Sequence, residues 1–214
     1  MTESTATRPE SASARPEGRG KAEDWLEAAY QQLLLGGVDS VRVLTLAKTL
    51  GLSRTSFYWS FKDRDALLAA LLARWDAHNT ASLIGRCEQY AATVVEAMLN
   101  VFDCWLDESL FDSRFELAIR NWGLKNDEVA AVVDRADQAR LQALTAMLMR
   151  HGQPGPQADV RARTIYLTQI GYLSMRTQES VSERISRVAE YVEVFVGERC
   201  APQEVARFAA RHPA

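Results

Sequence analysis

The chain has 214 residues, 47% hydrophobic and 25% charged with a formal net charge of −3, a mixture that fits a globular protein and argues against a disordered or fibrous one. No apolar run nears the roughly 18 residues that cross a bilayer, and Met1 to Lys21 is polar with no signal-peptide core, so a cytoplasmic protein with no membrane partner is expected. Cys87, Cys104 and Cys200 are odd in number and widely spaced, which speaks against a disulfide framework or a metal site and predicts small buried apolar residues.

Residues 1–20 hold Pro9, Pro16, Gly18 and Gly20 among Ser, Thr, Ala and Glu and show no apolar periodicity, so they predict a disordered N-terminal arm. Arg8, Arg15 and Arg19 would let such an arm reach into a minor groove, a use that Glu3, Glu10 and Glu17 weigh against. From Lys21 the pattern turns helical. Trp25, Leu26, Ala29, Tyr30, Leu33 and Leu34 recur at spacings of three and four, and Gly36-Gly37 supplies a stop. Val43, Leu46, Ala47 and Leu50 form one face of a short second helix ended by Gly51. Ser53 is a suitable N-cap for a third helix, Arg54 to Phe61, and a fourth starts at Asp63 with the stripe Leu67, Leu68, Leu71, Leu72 and Trp75.

Further amphipathic segments follow at roughly Glu88 to Asp107, Arg114 to Leu124, Asp127 to Arg150, Asp159 to Thr177 and Ser182 to Glu198, with short separators and no alternating strand pattern. An all-α fold is expected, a three-helix head followed by a larger helical bundle. The domain reading is an arm at 1–20, a helix-turn-helix head at 21–66 and an effector-binding and dimerisation domain at 67–214.

Charge distribution favours a nucleic-acid partner. Between Ser40 and Arg64 the bases Arg42, Lys48, Arg54, Lys62 and Arg64 face one acid, Asp63, a net +4, and the remainder of the chain carries −7. The same stretch, VLTLAKTLGLSRTSFYWSFKDRDALL from Val43 to Leu68, reads as two short helices joined by a glycine-containing turn. Ala47 is small where the two backbones must cross. Leu46, Leu50, Leu52 and Phe57 are spaced to hold the pair together, leaving Arg54, Thr55, Ser56, Tyr58, Trp59 and Ser60 to face outward.

The run Leu46-Ala47, Gly51-Leu52-Ser53, then Ser56-Phe57-Tyr58-Trp59-Ser60-Phe61-Lys62-Asp63-Arg64-Asp65-Ala66-Leu67-Leu68 resembles the DNA-binding signature of TetR-type repressors. The likeness covers Trp25 to Leu72. It implies that Ser53, Arg54, Thr55 and Ser56 open a recognition helix whose side chains meet base edges and phosphates, with Arg54 able to donate two hydrogen bonds to a guanine. It also implies that Tyr58 and Trp59 lie on the sugar-phosphate backbone or a thymine methyl, and that Ser60, Lys62 and Arg64 contact phosphate. Ser60 stands where the family commonly has histidine. Arg42 and Val43 stand where a Thr cap is common, so phosphate contacts from the second helix fall to Arg42, Thr45 or Lys48.

In the larger domain Met98, Phe102, Trp105, Phe115, Trp122, Met147, Tyr166 and Tyr172 could line an apolar effector pocket, with Arg120, Asn121 and Gln169 as polar handles, or could simply fill the core. Ile165, Leu167, Ile170, Gly171, Leu173 and Ser174, with Ile185, Val188, Ala189, Val192, Phe195 and Val196, give two faces apolar over so wide an arc that a homodimer interface is expected. Two heads would then address the half-sites of a palindromic operator in double-stranded DNA, and an unknown small-molecule effector would release it. His78, His151 and His212 show no metal-ligand spacing and read as surface residues. With no nucleophile-base constellation, phosphate loop or zinc motif, neither catalysis nor a cofactor is expected. A helical ligand-binding or protein-interaction module without DNA binding is the alternative.

Overall fold

Helix α1 spans Ala22–Gly36 in the computed structural model, which describes residues 21–212. Glu23 and Asp24 sit at the positive end of its dipole, and the Lys21 backbone N–H donates to Asp24 Oδ2 at 2.7 Å. Trp25, Ala28, Ala29 and Leu33 form its buried stripe. A single 3₁₀ turn, Val38–Ser40, leads to α2, Val43–Leu50. Gly51 ends α2 in the left-handed region at φ 65, and the Leu52 N–H closes the turn on the Ala47 carbonyl at 2.9 Å.

Helix α3, Arg54–Phe57, is capped by Ser53, whose Oγ accepts from the Ser56 N–H at 3.2 Å. It is shorter than the expected Arg54 to Phe61. Past Phe57 the backbone tightens, with Tyr58 N–H bonding the Thr55 carbonyl at 3.2 Å and Trp59 N–H the Ser56 carbonyl at 3.3 Å. This winding accompanies the stacking of Phe61 on Phe57 at 5.8 Å, which keeps both rings toward the head's core.

Asp63 caps α4, Arg64–Trp75, through the Ala66 N–H at 2.8 Å. A π-helical turn, Asp76–Thr80, then carries the same rod into α5, Ala81–Glu88. The body continues with α6 (Val94–Leu106), α7 (Ser113–Gly123), α8 (Asp127–Arg150) and α9 (Gly155–Ser174). It ends with α10 (Val181–Ser186), α11 (Val188–Val196) and α12 (Pro202–Arg211). The expected helix from Ser182 to Glu198 is thus broken, at Arg187, where φ is −110 and ψ is 0. No strand occurs among the described residues, and no helix there is long and apolar enough to cross a membrane. The N-terminal arm, with Arg8, Arg15 and Arg19, lies outside the described residues.

Two apolar cores organise the chain. One joins Trp25, Leu46, Phe57, Leu67, Leu71 and Trp75 to Phe115, Ile119, Val129 and Val133, so α4 belongs to the head's core and α7 and α8 dock against it. The apolar packing therefore runs across the expected boundary at 66/67. The other core gathers Met98, Val101, Leu144, Met147, Ile165, Val192 and Phe195, closed by Phe208 of α12. Cys87 and Cys104 are buried and Cys200 is half-buried, all unpaired. His212 corrects the surface reading: its ring packs on Phe208 at 4.9 Å, and its Nε2 lies 2.8 Å from Asp103 Oδ1.

Candidate nucleic-acid interface

Phe57 anchors the recognition segment. It is fully buried, meets Trp25 edge-on at 5.3 Å and stacks on Phe61. With its core-facing side so occupied, the short helix turns Arg54 and Thr55 outward, and Tyr58 and Trp59 remain 54% and 71% exposed. Two large aromatic rings held this far into solvent on one turn are unusual for a surface that meets only water. Arg42, Ser53 and Lys62 are also exposed, while Thr45, Ser56 and Ser60 are half-buried. These residues all fall on the start of α2, on α3 and on the turn after it, so the predicted contact set is brought to one end of the head.

Several of the set also do internal work. Ser53 caps α3 and the Ser56 hydroxyl donates back to the Ser53 carbonyl at 2.7 Å, which fixes the start of the helix. Arg42 Nε donates to the Asp39 carbonyl at 2.9 Å. Arg64 departs most from the expected phosphate contact. Its Nε and Nη2 donate inward to the carbonyls of Val41 and Val38 at 2.6 and 2.7 Å, tying α4 to the loop that precedes α2. It braces the head internally, and Lys62 is an exposed cation after the recognition turn.

The junction of head and body holds a buried polar network of which the sequence reading had only Arg120 and Tyr166, as pocket residues. Glu116 and Arg140 are both fully buried and paired at 2.8 Å. Glu116 Oε2 also accepts from Trp75 Nε1 at 2.7 Å and from Asn79 Nδ2 at 2.9 Å, reaching the end of α4 and the π-turn. Arg140 lies 5.0 Å over the Trp75 ring and donates to Thr80 Oγ1 and the Tyr166 hydroxyl. Arg120 bridges Glu116 and Asp137. Asn79 and Asp112 exchange hydrogen bonds, and the Tyr30 hydroxyl of α1 donates to the Asp112 carboxylate. Burial alone would raise the Glu116 carboxyl, but the Arg140 and Arg120 guanidiniums hold it below the ordinary carboxylate range. One signal was legible: Arg140 falls in phase with Ala136 and Leu144 on the apolar stripe of α8, a position a solvated arginine would not take.

The expected pocket residues separate into five places, Phe115 being buried in the core shared with the head, edge-on to Tyr30 at 5.0 Å. Arg120 and Tyr166 belong to the network just described. Met98 and Met147 are fully buried in the body core. Trp122 and Asn121 border an open cleft of about 930 Å³ between the end of α1, α7 and the end of α9. Phe102, Trp105, Gln169 and Tyr172 do come together, around a small cavity of about 40 Å³ between α6, α9 and α11. The two methionines border neither cavity.

The apolar arc on the last helices is likewise divided. Ile165, Val188, Val192, Phe195 and Val196 are consumed by the chain's own core. Of the large hydrophobics in that arc Leu167 stays exposed, and Val160 on α9 and Val194 on α11, outside the arc, are exposed as well, each of the three by more than 60%.

Among known proteins, residues 26–71 match the family described as bacterial regulatory proteins, tetR family. No curated protein matches the chain. Solved structures share its fold over nearly its full length: a transcriptional regulator from Rhodococcus sp. Rha1 at 17% identity and TM-score 0.56, covering 90% of this chain and 97% of its own. GusR of Salmonella enterica aligns at 16% identity and TM-score 0.57, covering 89% and 92%. A protein of Pseudomonas aeruginosa PAO1 described as a transcriptional regulator aligns at 16% identity and TM-score 0.63, covering 90% and 93%.

Proposed function

We propose that this chain, a DNA-binding transcriptional regulator of the TetR family, acts as a homodimeric repressor on a palindromic operator and is released from it by a small-molecule effector. The observation that carries the reading is the outward row of Arg54, Thr55, Tyr58 and Trp59 on a helix whose inward side is filled by Phe57. Arg54 reads base edges, Tyr58 and Trp59 lie along the backbone, and Lys62 neutralises phosphate. The protein works by binding and without a cofactor, in the cytoplasm where the DNA lies.

Leu167 of the apolar arc, with the exposed Val160 and Val194, is what a second copy would cover, giving a four-helix contact of α9 and α11 across a two-fold axis. The head at 21–66 would act on DNA, and residues 67–214 would bind effector and partner. The rod of α4 and α5 joins them. It is pinned to α7 and α8 through Trp75, Asn79 and Thr80, so a shift of those body helices would be passed to the head. An effector moves the equilibrium only by its difference in affinity between the DNA-competent and released states. Calorimetry with and without bound operator tests this coupling: affinity for effector falls when operator is bound, and equal affinities would reject release as the mechanism.

A further inference from the structure

The small cavity between α6, α9 and α11 is built to take an acceptor. Its wall is aromatic, with Phe102 edge-on to Trp105 at 4.8 Å and stacked with Phe195 at 6.2 Å, and with Tyr191 beside Phe195 at 5.8 Å. Two of its polar residues present donors in want of a partner. Trp105 and Gln169 are more than nine-tenths buried, and the indole Nε1 and amide Nε2 have no hydrogen-bond partner among the described residues. A buried N–H left in that state costs about 1–3 kcal/mol, which a bound acceptor would recover.

Arg184 of α10 completes the set. Its guanidinium is half-buried, lies 5.0 Å over the Tyr172 ring, and makes no hydrogen bond or ion pair among the described residues. Desolvation pushes its pKa down and outweighs the opposing pull of Tyr172, Glu179 and Tyr191. The nearby acid, Glu179, is already engaged by the Tyr172 hydroxyl and by Arg187 at 2.5 Å. The lining thus sets two arginines, Arg184 and Arg187, against one acid, Glu179, beside two unpaired N–H donors.

We propose that this cavity binds a small monocarboxylate with an apolar body, aromatic or branched aliphatic, its carboxylate received by Arg184, Gln169 and Trp105 and its body lying against Phe102 and Phe195. The inference rests on the reading of the body as an effector domain and names the effector's chemical class. At about 40 Å³ the cavity holds little more than the carboxylate itself, so the aromatic wall must give way for the ligand's body to enter. A guanidinium-carboxylate pair on a partly dry wall is stronger than its neutral counterpart, so charge rather than shape decides among isosteres.

The test is isothermal calorimetry of the full chain with benzoate and isovalerate, their neutral isosteres benzamide and isovaleramide, and benzylamine. The carboxylates bind at least about tenfold more tightly than the amides, and benzylamine does not bind. Arg184→Met removes the preference by weakening carboxylate binding about tenfold while leaving benzamide unchanged, Arg184→Lys restores part of it, and Gln169→Leu weakens it further. Amides binding as tightly as acids, an unaltered Arg184→Met, or no binding of either carboxylate overturns the proposal. Fluorescence anisotropy of an operator fragment separates this from the regulatory reading. Carboxylate binding that depends on Arg184 but leaves DNA bound upholds the site and removes its effector role. Release by neutral apolar compounds, with no carboxylate bound, upholds the effector role and overturns the site.

Discussion

Phe57 and Arg54 occupy one turn of α3 and do opposite work, the ring closing the head's core and the guanidinium standing in solvent. That division predicts how substitutions fail. Arg54→Ala relaxes preference among operator variants by about 1–3 kcal/mol, whereas Lys62→Ala weakens binding to all sequences and lowers the salt slope by about one; anisotropy titrations at several salt concentrations measure both. The outward row was legible in the sequence because Phe57 marks the side of the short helix that is buried. Arg64 was not legible, since its carbonyl partners Val38 and Val41 lie 26 and 23 residues away. The same is true of Glu116 and Arg140, whose pairing depends on how α7 meets α8. Removing the acid with Glu116→Ala strands a fully buried guanidinium and destabilises the fold by about 3–5 kcal/mol in denaturant unfolding. Because the Glu116 carboxyl is held below its ordinary value of 4.5, its stabilisation is present at neutral pH and is lost as pH falls below about that value and through its lower folded one. Glu116→Gln is accordingly less stable at pH 7 and shows a flatter loss of stability on acidification.

At the scale of elements, the glycine after α2 and the serine before α3 were readable because each answers a local backbone demand. Gly51 sits at φ 65 with open space around a notional Cβ, so Gly51→Ala meets only the backbone cost, about 1 kcal/mol in thermal or denaturant unfolding. The length of α3 was misjudged because aromatic spacing looks alike in a helix and in the tighter turn that follows Phe57. The π-turn at Asp76–Thr80 and α12 escaped notice for a different reason. Asn79 and Thr80 are polar residues buried by partners on α7 and α8, and α12 shows one buried anchor, Phe208, on an otherwise mostly exposed helix. Tertiary contacts define both elements, and a hydrophobic stripe is not what marks them.

For the whole molecule, a head and a larger all-helical body were evident from the succession of amphipathic segments, while the sharing of apolar surface between core and partner was not. Ile165 and Leu167 stand two residues apart on α9, yet one is fully buried and the other is 61% exposed. Leu167→Glu combined with Val194→Glu places charge on the uncovered face without touching the core. Sedimentation should show the parent chain as a dimer and the double variant as a folded monomer. The account's central claim is that two such heads read one duplex in a sequence-dependent way. Selection of fragments from genomic DNA by the purified chain, followed by footprinting, tests it most directly. The account predicts an enriched palindrome with two protected half-sites roughly 34–36 Å apart on one face of the helix. Recovery of no common sequence, with equal affinity for selected and random duplexes at physiological salt, would contradict it.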